Sequence, residues 1–215
     1  LDRFEGIASD PVRSVSKWKE AHPGNKVVGV MGLHLPEEML HAAGVLPVVV
    51  MGGEEPISVG GTRLGPNICH YARAVVDTLM KGELWFLDGL VVEDCCYAFR
   101  ASYEIMKRTP PQIGWYKPLW FPRALAKPQA RGILLDELRE FVTKLGEFVG
   151  QEVEPEAIRD SFRIYNEYRS LMRRIYELRR RKPGVVNARQ MLAVVKSGML
   201  MPKEEHCELL LQLIA

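Results

Sequence analysis

The sequence predicts an α/β protein, a doubly wound parallel sheet followed by a helical subdomain. Three observations carry that reading. Short apolar runs at 26–31 (KVVGVM), 46–51 (LPVVVM) and 89–92 (GLVV) are bounded by turn residues, the pattern of strands buried on both faces. Helical stretches alternate with them, and that alternation builds parallel sheets with right-handed crossovers. Beyond about residue 131 only helical periodicity remains.

Residues 9–21 read as a first helix. Ser9 or Asp10 caps it, Pro11 suits its first turn, and Val12, Val15 and Trp18 keep helical spacing. His22-Pro23-Gly24-Asn25 ends it before the strand at 26–31. Leu35-Pro36-Glu37-Glu38 opens the next helix, with acids in its first turn, and Gly44 closes it. After the strand at 46–51, residues 52–65 hold Gly52, Gly53, Gly60, Gly61 and Gly65. They form a loop without the GxGxxG spacing of a dinucleotide fingerprint. Pro66 starts a helix carrying Cys69, Ala72, Val75, Val76 and Leu79. The strand at 89–92 leads into a helix over 96–107, which Pro110-Pro111 breaks, and 112–116 is read as a fourth strand. Helical patterns then cover 132–149, 155–181, 187–197 and 203–215. The domain reading is a flavodoxin/Rossmann-like α/β lobe over 1–128 and a helical connector over 129–215.

A net charge of +2 makes no electrostatic case for nucleic acid or a membrane surface. No apolar run reaches the length of a spanning helix, and the start lacks a signal-peptide pattern. Cys69, Cys95, Cys96 and Cys207 include an adjacent pair, which suits no disulfide framework, so a cytoplasmic, reducing compartment is expected.

The chemistry concentrates at 88–100 (DGLVVEDCCYAFR), where a buried strand feeds a helix. Ligands of open α/β sheets bind at that carboxyl edge. Cys69 has the same relation to its own helix, so the two thiol sites are expected to meet. N–H groups of a helix start favour a thiolate, although a lone cytosolic cysteine is more often a small buried apolar residue. Adjacent cysteines point apart, so one metal takes one of them. Cys96, which opens the helix, is the better candidate, with Cys95 as its alternative and expected to pack inward. Glu93 and Asp94 read as solvated loop acids or as outer partners of the site. His34, at a strand end, is a candidate catalytic group, and His70 a hydrogen-bond donor to the site or a surface residue. His41 reads as packed or capping. The run Arg173, Arg174, Arg179, Arg180, Arg181 and Lys182 reads as a solvated helix end or a seat for an acidic partner such as a CoA phosphate. Trp115, Trp120 and Phe121 read as core, interface or pocket wall. Spacing alone stops at a thiolate metal site with too few thiols for a whole cluster.

Motifs go further. Residues 26–47 (KVVGVMGLHLPEEMLHAAGVLP), 67–92 (NICHYARAVVDTLMKGELWFLDGLVV) and 96–100 resemble the 2-hydroxyacyl-CoA dehydratase / benzoyl-CoA reductase family, in its 2-hydroxyglutaryl-CoA dehydratase D-component-like form. Ile164-Tyr165-Asn166-Glu167-Tyr168-Arg169 and Val194-Val195-Lys196-Ser197-Gly198, with Pro202-Lys203-Glu204, resemble its middle helices. The resemblance implies a longer, two-lobed chain, so a second α/β lobe is expected to be missing. It implies pairing with a homologous subunit as a heterodimer. It also implies a 4Fe–4S cluster that passes single electrons to an acyl-CoA, with electrons from an ATP-dependent activator protein. Cys69 and Cys96 match the family's cysteines. Many members carry a further cysteine where this chain has Gly32, and the benzoyl-CoA reductase-like small subunits often lack it, which favours that branch. Tyr97 stands where an Asp is usual. The alternatives are a non-catalytic scaffold or electron-relay subunit and a plain α/β binding protein with buried cysteines.

Overall fold

β1 (Val27–Met31), β2 (Leu46–Val49), β3 (Gly89–Glu93) and β4 (Trp115–Leu119) pair in parallel in the order β2-β1-β3-β4. The computed structural model describes residues 1–53, 55–109 and 113–215. The central strands β1 and β3 are buried along their whole length, as their unbroken apolar sequences require. Pro47 and Pro118 lie on the two outer strands, where a missing N–H costs no ladder bond on the open side.

The sheet is covered on both faces. Met31, Leu90 and Val92 pack with α2 (Pro11–Ala21), α4 (His70–Met80) and α5 (Tyr97–Arg108). Val28, Val30 and Val91 pack on the other face, with α3 (Glu37–Ala42) and α6 (Ala130–Val149). This is the doubly wound arrangement that the sequence predicts. A third core joins α1 (Asp2–Ser9), α7 (Pro155–Arg181), α8 (Ala188–Gly198) and α9 (Lys203–Ile214). So α6, although beyond residue 128, packs on the sheet, and α1 packs among the late helices.

Three elements differ from the sequence reading. Helix α1 has no counterpart there: eight residues long, it buries only Phe4 and Ala8, too few for a periodic signal. Helix α4 begins at His70, because Pro66 and Asn67 sit in a turn that leaves Cys69 as the N-cap. Strand β4 starts at Trp115, later than 112, while Pro110, Pro111 and Gln112 lie outside the described residues.

Asp77 ties the glycine-rich loop to α4. Its carboxylate accepts from Gly60 N at 2.7 Å and Ser58 N at 3.0 Å and pairs with Lys81 at 2.8 Å. A Cβ on Gly60 would lie 2.7 Å from Asp77 N, so only glycine permits this approach. Burial opposes ionisation of Asp77, but the Lys81 bond and the two N–H donors outweigh it, and its pKa falls below the ordinary carboxylate value. Asp77→Ala strands the buried Gly60 donor and is expected to cost about 1–3 kcal/mol in denaturant unfolding. Unchanged stability, with protease resistance of the 52–65 loop retained, would refute this anchoring.

Candidate functional site

The strand order reverses between β1 and β3, since the chain leaves β1 through α3 for β2 and leaves β3 through α5 for β4. The crevice beyond the carboxyl ends of these two strands is where such sheets bind ligands. Gly32-Leu33-His34 enters it from β1, and Glu93 to Cys96 from β3.

Glu93 organises the crevice. Contrary to the expectation of a solvated loop acid, it is 2 % exposed. Its carboxylate accepts from Leu33 N at 2.6 Å and His34 N at 3.0 Å, and from His34 Nδ1 at 2.8 Å. Burial disfavours its charge, but the His34 ring and the two N–H donors outweigh burial and hold the carboxyl below its ordinary range. A carboxylate only accepts, so Nδ1 carries the proton of this bond and Nε2 is the ring nitrogen left free of it. That ring is 69 % exposed, with Phe121 at 6.2 Å between centroids. Asp94 instead binds the Arg100 guanidinium at 2.8 Å.

Cys69 is the N-cap of α4 and Cys96 the N-cap of α5, and neither side chain caps its helix. The two helices run side by side, with Tyr71 and Phe99 5.7 Å apart between ring centroids, so both N-caps lie at one edge. Burial and the neighbouring Cys69 push the Tyr71 hydroxyl up to about 12. Cys95 is exposed rather than packed inward, and Cys96 is half-buried. Desolvation, with Cys96 and Glu93 alongside, pushes the Cys95 thiol up to about 11, which keeps it protonated and makes it the weaker metal ligand. Cys207 is buried apart, in the third core. His70 is exposed. Among the described residues no three His, Cys, Asp or Glu side chains gather as a metal site. Two uncapped helix starts bearing thiols suit an anionic thiolate-held group, and two thiols are fewer than the four a whole cluster generally uses.

A cleft of about 690 Å³ opens beside them, between the ends of β1 and β2 and the helices α7 and α8. Met51, Tyr71, Phe99, Met199, Tyr165 and Tyr168 wall it. Sequence reasoning missed this wall, because Tyr165 and Tyr168 scan as a helix core face. Tyr165 is 3 % exposed, and its hydroxyl makes no well-formed hydrogen bond among the described residues, although the Glu37 carboxylate approaches it. Burial first, then the Glu37 and Glu38 carboxylates, push that hydroxyl upward, so it remains a donor.

Polar ties fix the cleft walls. Arg169 pairs with Glu38, Lys203 with Glu37 at 3.2 Å, and His41 bridges Ser161 at 2.9 Å and Glu204 at 2.8 Å. Lys203 lies over the Tyr165 and Tyr168 rings at 5.2 and 5.3 Å. The arginine run serves locally, with Arg180 and Arg181 both on Glu177. Trp115 stacks on Phe148 at 4.6 Å, in the core.

Fold and site define a doubly wound α/β protein with an aromatic-walled cleft at the sheet's switch point. The chain matches the family model for the 2-hydroxyglutaryl-CoA dehydratase D-component over residues 33–215, and it belongs to that family. It is 30% identical over 219 residues to a benzoyl-CoA reductase subunit of Thauera aromatica, covering 100% of this chain and 56% of that protein. It is 29% identical over 222 residues to the beta subunit of lactoyl-CoA dehydratase from Anaerotignum propionicum (100% of this chain, 56% of that protein). It is 26% identical over 211 residues to the (R)-phenyllactyl-CoA dehydratase beta subunit of Clostridium sporogenes (98% and 56%). The chain thus spans about half the length of the curated relatives it matches. No helix among the described residues is long and apolar enough to cross a membrane.

The depressed Glu93 pKa means its stabilisation is present above the unfolded carboxyl pKa and lost as pH falls through the folded value. His34→Ala removes the largest of the contributions that hold it down. The acid-unfolding midpoint, read by circular dichroism, is expected to move to higher pH. A midpoint that stays in place would show that the pair does not hold the edge.

Proposed function

We propose that this chain is the iron–sulfur subunit of a CoA-thioester reductase or dehydratase, of the benzoyl-CoA reductase-like branch. Cys69 and Cys96 would hold a 4Fe–4S cluster, with the remaining ligands coming from outside the described residues. The observation that carries this reading is the pair of uncapped, thiol-bearing helix starts beside an aromatic cleft at the switch point. When bound, the cluster supplies single electrons to the thioester. The chain's own residues bind and orient. The Tyr71, Phe99 and Met51 wall takes the acyl group and excludes water. The Tyr165 hydroxyl donates to an oxygen of the bound acyl group, and His34 Nε2 accepts a proton at the crevice mouth. The similarity to the Thauera aromatica benzoyl-CoA reductase protein supports the branch, and so does Gly32: a Cβ there would lie 2.5 Å from Glu93 Cβ, so a cysteine would force Glu93 to shift. The relatives are named as subunits, which supports a homologous partner subunit. An ATP-dependent electron donor completes the proposal.

Protein purified without oxygen is expected to carry iron and acid-labile sulfide, about four irons per cluster. Cys69→Ser and Cys96→Ser should each lose most of it, and Cys95→Ser should keep it. Colourless protein, alone and with its partner subunit, would sink the assignment. Tyr165→Phe removes an unsatisfied buried hydroxyl, so stability is expected to hold or rise, by up to about 1–3 kcal/mol. Acyl-CoA affinity should fall at the same time. A variant that binds acyl-CoA as tightly as the parent would remove Tyr165 from the site.

A further inference from the structure

A second cavity of about 690 Å³ lies at the same sheet edge, beyond β4 and against the first turn of α5. Tyr97, Arg100, Trp120, Arg123, Lys127 and Ile133 line it, and among the described residues its lining contains three cations and no carboxylate. Arg100 is paired with Asp94, as Arg180 and Arg181 of the α7 run are with Glu177, but Arg123 and Lys127 have no carboxylate partner among the described residues. In the cavity the guanidinia are held in place without being used up. Arg100 binds Asp94, and Arg123 donates to the Cys95 carbonyl at 2.9 Å. Each guanidinium has five N–H donors, so both retain groups for a ligand. Tyr97 and Trp120 are exposed aromatic surfaces at the same mouth, an arrangement that costs apolar hydration unless something stacks there. Flat apolar faces beside fixed guanidinia and an ammonium match a purine carrying phosphates. The volume lies within the range of nucleotide-sized ligand sites.

We propose that this cavity binds an adenosine diphosphate group, and that the group is the nucleotide handle of a CoA thioester. Arg100, Arg123 and Lys127 take the phosphates, and Tyr97 and Trp120 take the base. The identity of the ligand as CoA rests on the function proposed above, but the match to a nucleotide diphosphate does not. The first turn of α5 separates this cavity from the acyl cleft. Tyr97 and Arg100 face the cavity, Phe99 lines the cleft, and Cys96 caps the helix between them. One ligand occupying both cavities therefore passes the proposed cluster ligand.

The test is titration of the protein with ADP, CoA and pantetheine, read by calorimetry and by Trp120 fluorescence. ADP and CoA are expected to bind competitively and more weakly as salt rises, whereas pantetheine leaves Trp120 fluorescence unchanged. Arg123→Ala and Lys127→Ala should each weaken CoA by about tenfold, the equivalent of one charged hydrogen bond. Arg123→Lys should lose less, and Trp120→Phe should abolish the fluorescence change. Circular dichroism controls for folding, and Lys127→Ala leaves the Arg123–Cys95 contact intact. CoA affinity unchanged in the Arg123→Ala/Lys127→Ala pair would overturn the site. ADP binding that CoA does not displace would make it a free-nucleotide site and overturn the handle. Iron retained without nucleotide binding would refute this inference alone, and CoA binding without iron would refute only the cluster.

Discussion

One buried carboxylate, Glu93, sets the geometry of the functional edge. Placing a charged carboxyl at the end of a central strand is costly unless hydrogen bonds offset the lost water. Here two N–H groups of the β1 loop and the His34 ring supply them. The loops after the two strands that flank the switch point therefore cannot move independently. Gly32 belongs to the same solution, since a Cβ there would meet Glu93 Cβ at 2.5 Å and its Oε2 at 2.6 Å. Glycine at 32 and an acid at 93 form a matched pair. A chain that placed a thiol at 32 would have to give up this carboxylate position, so the missing cysteine follows from how this edge is built.

Much of the fold was legible because its signals are local. Unbroken apolar runs revealed β1, β2 and β3, and prolines and glycines bounded the long helices. Signals that depend on tertiary contacts were not legible. Helix α1 holds only two buried residues, and its partner α8 lies far along the chain. Strand β4 was read, but with its start at 112: it is an edge strand whose first four residues are all half-buried, so no alternation fixed its bounds. In the site, the cysteines were legible as residues at strand and helix boundaries. Glu93 was not, because an acid beside Asp94 and two cysteines looks the same in sequence whether solvated or buried. Its burial depends on donors some 60 residues away.

The cleft depends on a different set of bonds. Helix α3 comes from the sheet, and α7 and α9 come from the late helices, yet Glu37, Glu38 and His41 on α3 all find partners across that boundary. Exposed ion pairs contribute little, but Glu38 and Lys203 are buried here, and losing one partner would leave the other charge uncompensated. The late helices are thus held against the sheet by matched polar groups as well as by apolar packing. A wall fixed in this way can carry an unsatisfied hydroxyl at Tyr165, a local cost that a ligand oxygen would repay.

The same reasoning separates the adjacent thiols. Cys96 holds the N-cap of α5, where free N–H groups favour a charged sulfur. Cys95 is one residue earlier, where desolvation first, then the neighbouring thiol and Glu93, raise its pKa. The carboxylate that orders the β1 loop therefore also disfavours charge on Cys95, in addition to burial. A bulky change at Glu93 would disturb the β1 loop and the surroundings of Cys95 together, because one buried charge touches both.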